Sequence, residues 1–228
     1  MNFFTLKWGN KYGPQYVNRL YGSLLANFKK KFTLTCYTDD YEGIRDEVYI
    51  QPISELRPYN TDRVFTYEKL ILMEKWETGV WLDLDILIHK DITDIKFKND
   101  FTMIWNHWNP LSRSYDWYGK GSSCHVNSSF VYWNKPKWLI KFTRDNWNKI
   151  EWTYKSLDKY MFYQHHRTGR LNYWPKTLVS NYNVEHATLR NKISLFNTSH
   201  IKANNLDLNY AELHEAKPEV IKLWLSYS

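Results

Sequence analysis

At 228 residues the chain is long enough for one sizeable core, and its 43% hydrophobic content is that of an ordinary globular protein. Lys and Arg exceed Asp and Glu by 31 to 24, a net +7 that favours an anionic partner; the basic residues are scattered apart from Lys29, Lys30 and Lys31, which argues against a nucleic-acid face and reads as a solvated helix end. Cys36 and Cys124 exclude a disulfide framework, no basic-then-apolar leader opens the sequence, and no apolar run approaches the roughly 18 residues of a membrane span, so a cytoplasmic protein with reduced thiols, at most peripheral to a membrane, is expected.

In chain order, FFTLKWG at 3–9 reads as a first strand, and the helical spacing of Tyr16, Leu20, Leu24 and Phe28 predicts a helix over 13–28. FTLTCYTDD at 32–40 is a second strand, and VFTYEKLILMEKWE at 64–77 a helix running directly into the strand GVWLDLDILI from 79. That helix-to-strand step builds parallel, buried sheets, and the strand's consecutive apolar residues fit burial on both faces. With no linker, repeat or hinge, the sequence predicts one α/β domain over 1–228, with a first half to about residue 100 and a second half beyond it. The 12 Trp, 18 Tyr and 11 Phe are read first as core.

Asp83 and Asp85 stand two apart in the strongest of these strands, where alternate side chains share a face. Like charges side by side in a core need proton sharing, a ring of donors or a cation. Carboxylate oxygens suit Mg2+ or Mn2+, which keep positions for water and phosphate oxygens. The competing reading has Asp83 bonded to backbone amides and Asp85 capping the strand's exit.

On these residues the chain resembles the GT-A glycosyltransferases that carry a D-x-D motif, of the glycogenin-like and short bacterial or viral types. LKWGNKYGPQYVNRLYGSLLANF followed by FTLTCYTDD looks like their opening strand, helix and second strand, YEKLILMEKWETGVWLDLDILI like their helix and motif strand, and VNSSFVYWN like the strand after it. SLDKYMFYQHHR from 156 and NYWPKTLVSNYN from 172 resemble the helix and proline-led strand that shape the acceptor side in this family. The resemblance covers residues 3 to about 182. It implies a Rossmann-like domain with a central, mostly parallel twisted sheet flanked by helices, and transfer of a hexosyl group from a UDP- or GDP-linked sugar to a hydroxyl of a glycan or related acceptor. It implies Mn2+ or Mg2+ as cofactor and no nucleic-acid partner.

Residue by residue, the resemblance puts Thr5, Lys7, Tyr12 and Asp39 at the nucleotide, with Tyr12 on a base and Asp39 on base or ribose, although Asp39 and Asp40 also suit a turn. Lys69 is implied near the donor, or is a solvated helix lysine. Asn127 and Ser128 are implied partners of the sugar hydroxyls, or stabilise a strand start. Asp83 and Asp85 are the implied metal ligands. Asp158 is implied on the acceptor side as the base of an inverting reaction, against a plain role at the start of its helix. ISLFNTSHIKANN at 193–205 stands where relatives carry a closing segment, giving His200 as third metal ligand and Lys202 as a diphosphate contact. The family's glycine and proline are missing there, and Asn197 competes for the ligand position. Deletion from about 193 onward is expected to cost turnover more than folding. His89, His107, His165, His166 and His186 read as surface or satisfied core histidines.

Two rivals remain from the residues alone. A sugar-phosphate nucleotidyltransferase needs a glycine-rich phosphate loop, for which Gly9 and Gly13 are poor support. A non-catalytic carbohydrate- or RNA-binding domain gives no reason for paired acids in a buried strand.

Overall fold

The computed structural model describes residues 1–56, 67–108, 124–154, 156–181, 189, 191–196 and 218–227. The elements run β1 (Asn2–Lys7), α1 (Pro14–Asn27), β2 (Thr33–Thr38), β3 (Tyr49–Pro52), a 3-10 turn at Ile53–Leu56, α2 (Glu68–Lys75), β4 (Thr78–Leu82), β5 (Ile86–Ile88), β6 (Phe101–Trp105), β7 (Val126–Asn134), α3 (Lys137–Asp145), α4 (Trp147–Thr153), α5 (Leu157–Thr168), β8 (Asn172–Tyr173), β9 (Val179–Asn181), β10 (Ile193–Leu195) and α6 (Pro218–Leu225). The strands form a seven-stranded sheet, β3-β2-β1-β4-β7-β6-β8, and a three-stranded one, β5-β10-β9. The α/β class and the predicted order of the first strands and helices hold. Two compact units are present, 1–55 with 82–96 and 175–228, and 56–81 with 97–174, so both draw on sequence before and after residue 100.

In the first unit β1 pairs parallel with β2, Thr5 opposite Cys36 and Lys7 opposite Thr38, and β2 pairs parallel with β3. Phe3, Phe4, Leu34 and Cys36 are wholly buried, each large side chain worth about 1.5–3 kcal/mol over exposure. Burial pushes the Cys36 thiol up to about 12. Helix α1 begins with Pro14 in its first turn, where a missing N–H costs nothing, and buries Tyr16, Val17, Leu20, Ser23 and Leu24. Lys29, Lys30 and Lys31 follow its end and are exposed, as expected. Helix α6 packs Trp224 against Tyr16, ring centroids 5.2 Å apart, and under the Arg19 guanidinium at 3.8 Å. A Cβ on Gly22 would stand 2.0 Å from the Tyr227 carbonyl oxygen, so this approach of the C-terminal segment requires glycine. Asn27 closes the contact, its Nδ2 lying 3.0 Å from the Ser23 carbonyl, 3.1 Å from the Ile88 carbonyl and 3.2 Å from Tyr227 Oη.

Three expectations change here. The single strand expected from 79 breaks after Leu82: residues 83–85 form a turn, and Ile86–Ile88 belongs to the smaller sheet. Aspartate is depleted in strands and at home in turns, which outweighs the apolar run on both sides. The segment from 172 that resembles a proline-led strand holds two short strands, β8 before Pro175 and β9 after it, because Pro175 has no N–H for a ladder and starts a turn closed by Leu178 N to Pro175 O at 2.9 Å. Finally, β10 is the central strand of its sheet, antiparallel to β5 and parallel to β9, with Ile193 fully buried. Deletion from 193 therefore removes core, and the expectation that it would cost turnover more than folding is withdrawn.

In the second unit β7 pairs antiparallel with β6, but the register jumps from Thr102 opposite Tyr132 to Ile104 opposite Asn127. Helix α5 is capped by Ser156, whose hydroxyl accepts from Lys159 N at 3.3 Å, and ends on Gly169 at φ 63, a left-handed conformation glycine adopts without penalty.

Candidate functional site

The first group of candidates lies in the first unit. Asp83 and Asp85 are half-buried on either side of Leu84, which is 4% exposed. The alternation expected of a strand thus survives in the turn. The Asp85 carbonyl accepts from Phe196 N at 2.9 Å, tying the turn to the end of β10, while its Oδ2 accepts from the Tyr12 hydroxyl at 3.4 Å. Tyr12 in turn meets Tyr16 edge-on with centroids 5.0 Å apart, and the Lys11 ammonium lies 5.0 Å over its ring. Two partly exposed carboxylates are hard oxygen donors of the kind Mg2+ and Mn2+ take, so the donor set fits such a cation. Among the described residues no group of three or more His, Cys, Asp and Glu forms a complete ligand cage. His186, Asn197, His200 and Lys202 lie outside the described residues.

Around the ends of β1 and β2 the expected nucleotide residues are engaged with the protein itself. Lys7 is 2% exposed, and its Nζ donates to the Asp40 carbonyl at 2.8 Å with the Asp40 carboxylate 3.6 Å away. The Glu42 amide and this lysine hold the Asp40 carboxyl below the usual carboxylate range. Both Asp39 oxygens accept from Gly9 N, at 3.2 and 2.9 Å, pinning a loop in which Gly9 takes φ +57. Asp39 is exposed; Thr5 is fully buried, its hydroxyl without a hydrogen-bond partner among the described residues.

The second group lies in the second unit and draws on α2, β7 and α5. Lys69 Nζ donates to the Ser128 carbonyl at 2.7 Å and its hydroxyl at 3.1 Å, and lies 5.0 Å over the Trp81 ring. Ser128 N donates to Asp158 Oδ1 at 2.9 Å. The neighbouring Asn127 Oδ1 accepts from Ser129 N at 2.9 Å. Three residues predicted separately are therefore one hydrogen-bonded set. Asp158 sits in the first turn of α5, which Ser156 caps, and its Oδ1 reaches β7 at the Ser128 amide. Burial, and next the Asp158 charge, push the Cys124 thiol up to about 12.

Beside this set, Trp105 stacks on His125 at 5.2 Å and 5° and meets Tyr173 at 4.9 Å and His165 at 5.7 Å. His165 Nδ1 and Tyr173 Oη are buried without a hydrogen-bond partner among the described residues. Sequence reasoning set His165 aside and did not single out His125. The pairing that gathers them, β6 with β8 through Met103 opposite Tyr173, joins residues with no local signal in common.

No family model matches the chain, and no curated protein matches it in sequence. In structure it is similar to the galactosyltransferase LgtC in complex with donor and acceptor sugar analogs, 13% identical over 99% of this chain and 96% of that one, with a TM-score of 0.61. It is similar to the glycosyltransferase GlyE of Streptococcus pneumoniae, 11% identical over 99% of this chain and 60% of that one, TM-score 0.59. It is also similar to a glycosyltransferase involved in glycosylation of the major capsid of PBCV-1, 14% identical over 85% of this chain and 92% of that one, TM-score 0.52. At these identities the likeness is one of fold: the chain has the GT-A fold.

Proposed function

We propose that this chain transfers a sugar from a nucleoside diphosphate sugar, UDP- or GDP-linked, to a hydroxyl of a glycan or related acceptor, with Mn2+ or Mg2+ as cofactor. The observation that carries the reading is the turn at Asp83, Leu84 and Asp85 closing the buried strand β4, two half-exposed acids around a buried leucine, in a chain of the GT-A fold. When bound, a divalent cation supplies charge compensation for the departing diphosphate. In this reading Asp83 and Asp85 bind it, and Tyr12 orients Asp85 through its hydroxyl.

Lys7 and Asp39 serve the nucleotide indirectly, by fixing the loops after β1 and β2 through Asp40 and Gly9, with Thr5 beneath them. Asn127 and Ser128 meet the sugar hydroxyls, Lys202 the diphosphate, and His200 or Asn197 supplies the third ligand. Asp158 takes the proton of the attacking hydroxyl if configuration inverts. Both described cysteines are free, which suits a reducing compartment, and we assign the chain to the cytoplasm. No helix among the described residues is long and apolar enough to cross a membrane.

A thermal-shift panel of UDP- and GDP-sugars with and without Mn2+ tests the reading, since a ligand at a hundred times its Kd adds about 2.7 kcal/mol of stability. Shifts that appear only with metal and nucleotide together support it. A panel flat under all combinations sinks it.

A further inference from the structure

We infer that Lys69 is a positioning residue: it fixes Ser128, and through the Ser128 amide the carboxylate of Asp158, instead of contacting the donor's diphosphate. The inference rests on the transfer reading above, in which Asp158 works on the acceptor hydroxyl. Three observations carry it. The Lys69 ammonium makes two bonds to a single residue 59 places away, 2.7 Å to the Ser128 carbonyl and 3.1 Å to its hydroxyl, and covers the Trp81 ring at 5.0 Å. On the other side of the same residue, the Ser128 amide donates to Asp158 Oδ1 at 2.9 Å.

Ser128 also falls where the β6–β7 ladder is out of register, between the pairs Thr102–Tyr132 and Ile104–Asn127. In such an irregular stretch a regular ladder does not fix the strand's peptide groups on that side, and the backbone must be held by other means. A cation on the carbonyl and an anion on the amide hold it from both ends. Ser128 is 8% exposed, so these bonds are made largely out of water, where they are stronger and where losing one partner costs most. Lysine suits this task as a compact point charge whose rotatable N–H groups reach both oxygens.

The experiment combines Lys69→Met, Lys69→Gln and Asp158→Asn in the full chain with three readouts: hydrogen exchange of the Ser128 amide, Mn2+-dependent binding of UDP and GDP, and transfer kinetics. Lys69→Met is expected to speed Ser128 exchange about tenfold or more and to lower kcat about tenfold. It should leave nucleoside diphosphate Kd within about twofold and cost less than about twofold more on an Asp158→Asn background, since residues acting as one unit are not additive. A tenfold weaker Kd with Ser128 exchange unchanged, or losses that multiply in the double variant, overturns the inference. Should Lys69→Met not fold, Lys69→Gln, which keeps a neutral donor, carries the same readouts. If the unsubstituted chain shows neither metal-dependent nucleotide binding nor transfer, the transfer reading fails, while the exchange rates still decide whether Lys69 holds Ser128.

Discussion

The amide of Ser128 donates to Oδ1 of Asp158 at 2.9 Å, across 30 residues of sequence, and this bond ties the Asp158 carboxylate to β7. Asp158→Asn keeps an oxygen for that amide and removes the charge. If Asp158 is the base, transfer falls about 10²-fold or more while nucleotide binding and melting temperature hold. Ser156→Ala is the companion variant: it removes the real cap and costs about 1 kcal/mol of stability, with transfer unchanged below the melt. Near-normal transfer by Asp158→Asn would move the search for a base elsewhere.

Asp85→Asn is expected to abolish Mn2+-dependent nucleotide binding with the fold intact, because shape and the Tyr12 contact are kept and the charge is lost. Asp83→Asn should weaken binding less. Calorimetric titration of UDP and GDP with Mn2+ reads both; metal-dependent binding surviving in the Asp83/Asp85 double variant would falsify the metal-site assignment.

His89 is half-buried, its Nε2 3.1 Å from the Ser194 hydroxyl, and burial, with Lys90 adding repulsion, lowers its pKa to about 4. The folded chain thus holds a neutral imidazole where the unfolded chain, titrating near 6.5, binds a proton. Stability from this group is complete above the unfolded value and is lost as pH falls from about 6.5 to about 4, by about 2–3 kcal/mol. Denaturant melts of His89→Gln across that window should show a shallower decline than the parent chain. An identical slope would place the imidazole in water.

Gly22→Ala puts a methyl group 2.0 Å from the Tyr227 carbonyl oxygen, so the C-terminal segment must shift, at a cost of about 1–3 kcal/mol. With residues 226–228 removed the clash disappears, and the same substitution in mid-helix should be neutral or stabilising by up to about 1 kcal/mol. Equal destabilisation in both backgrounds would contradict the close approach.

Local periodicity carried much of the fold. The spacing of Tyr16, Leu20 and Leu24 gave α1 to within a residue at each end, and the likeness of VNSSFVYWN to the family's strand after the motif gave β7. What escaped was decided by pairing over distance. The run through Asp83 and Asp85 looks unbroken because both flanks are apolar, yet one flank joins the larger sheet and the other pairs with Ile193–Leu195, more than 100 residues on. For the candidate site, the family resemblance pointed to Lys69, Ser128 and Asp158 individually, but their mutual bonds depend on an irregular ladder that no single segment encodes.

The Asn27 amide, shared among Ser23, Ile88 and Tyr227, bears on the order in which the molecule assembles. Its last partner is 200 residues away. The first unit begins with β1 and α1 but lacks the middle strand of its small sheet until residues 193–195 exist, and the indole that covers Tyr16 until residue 224. During synthesis the apolar side of α1 therefore waits through most of translation for its cover, and refolding of this unit depends on closing the longest loops in the chain, which slows it relative to helices and hairpins of local contact.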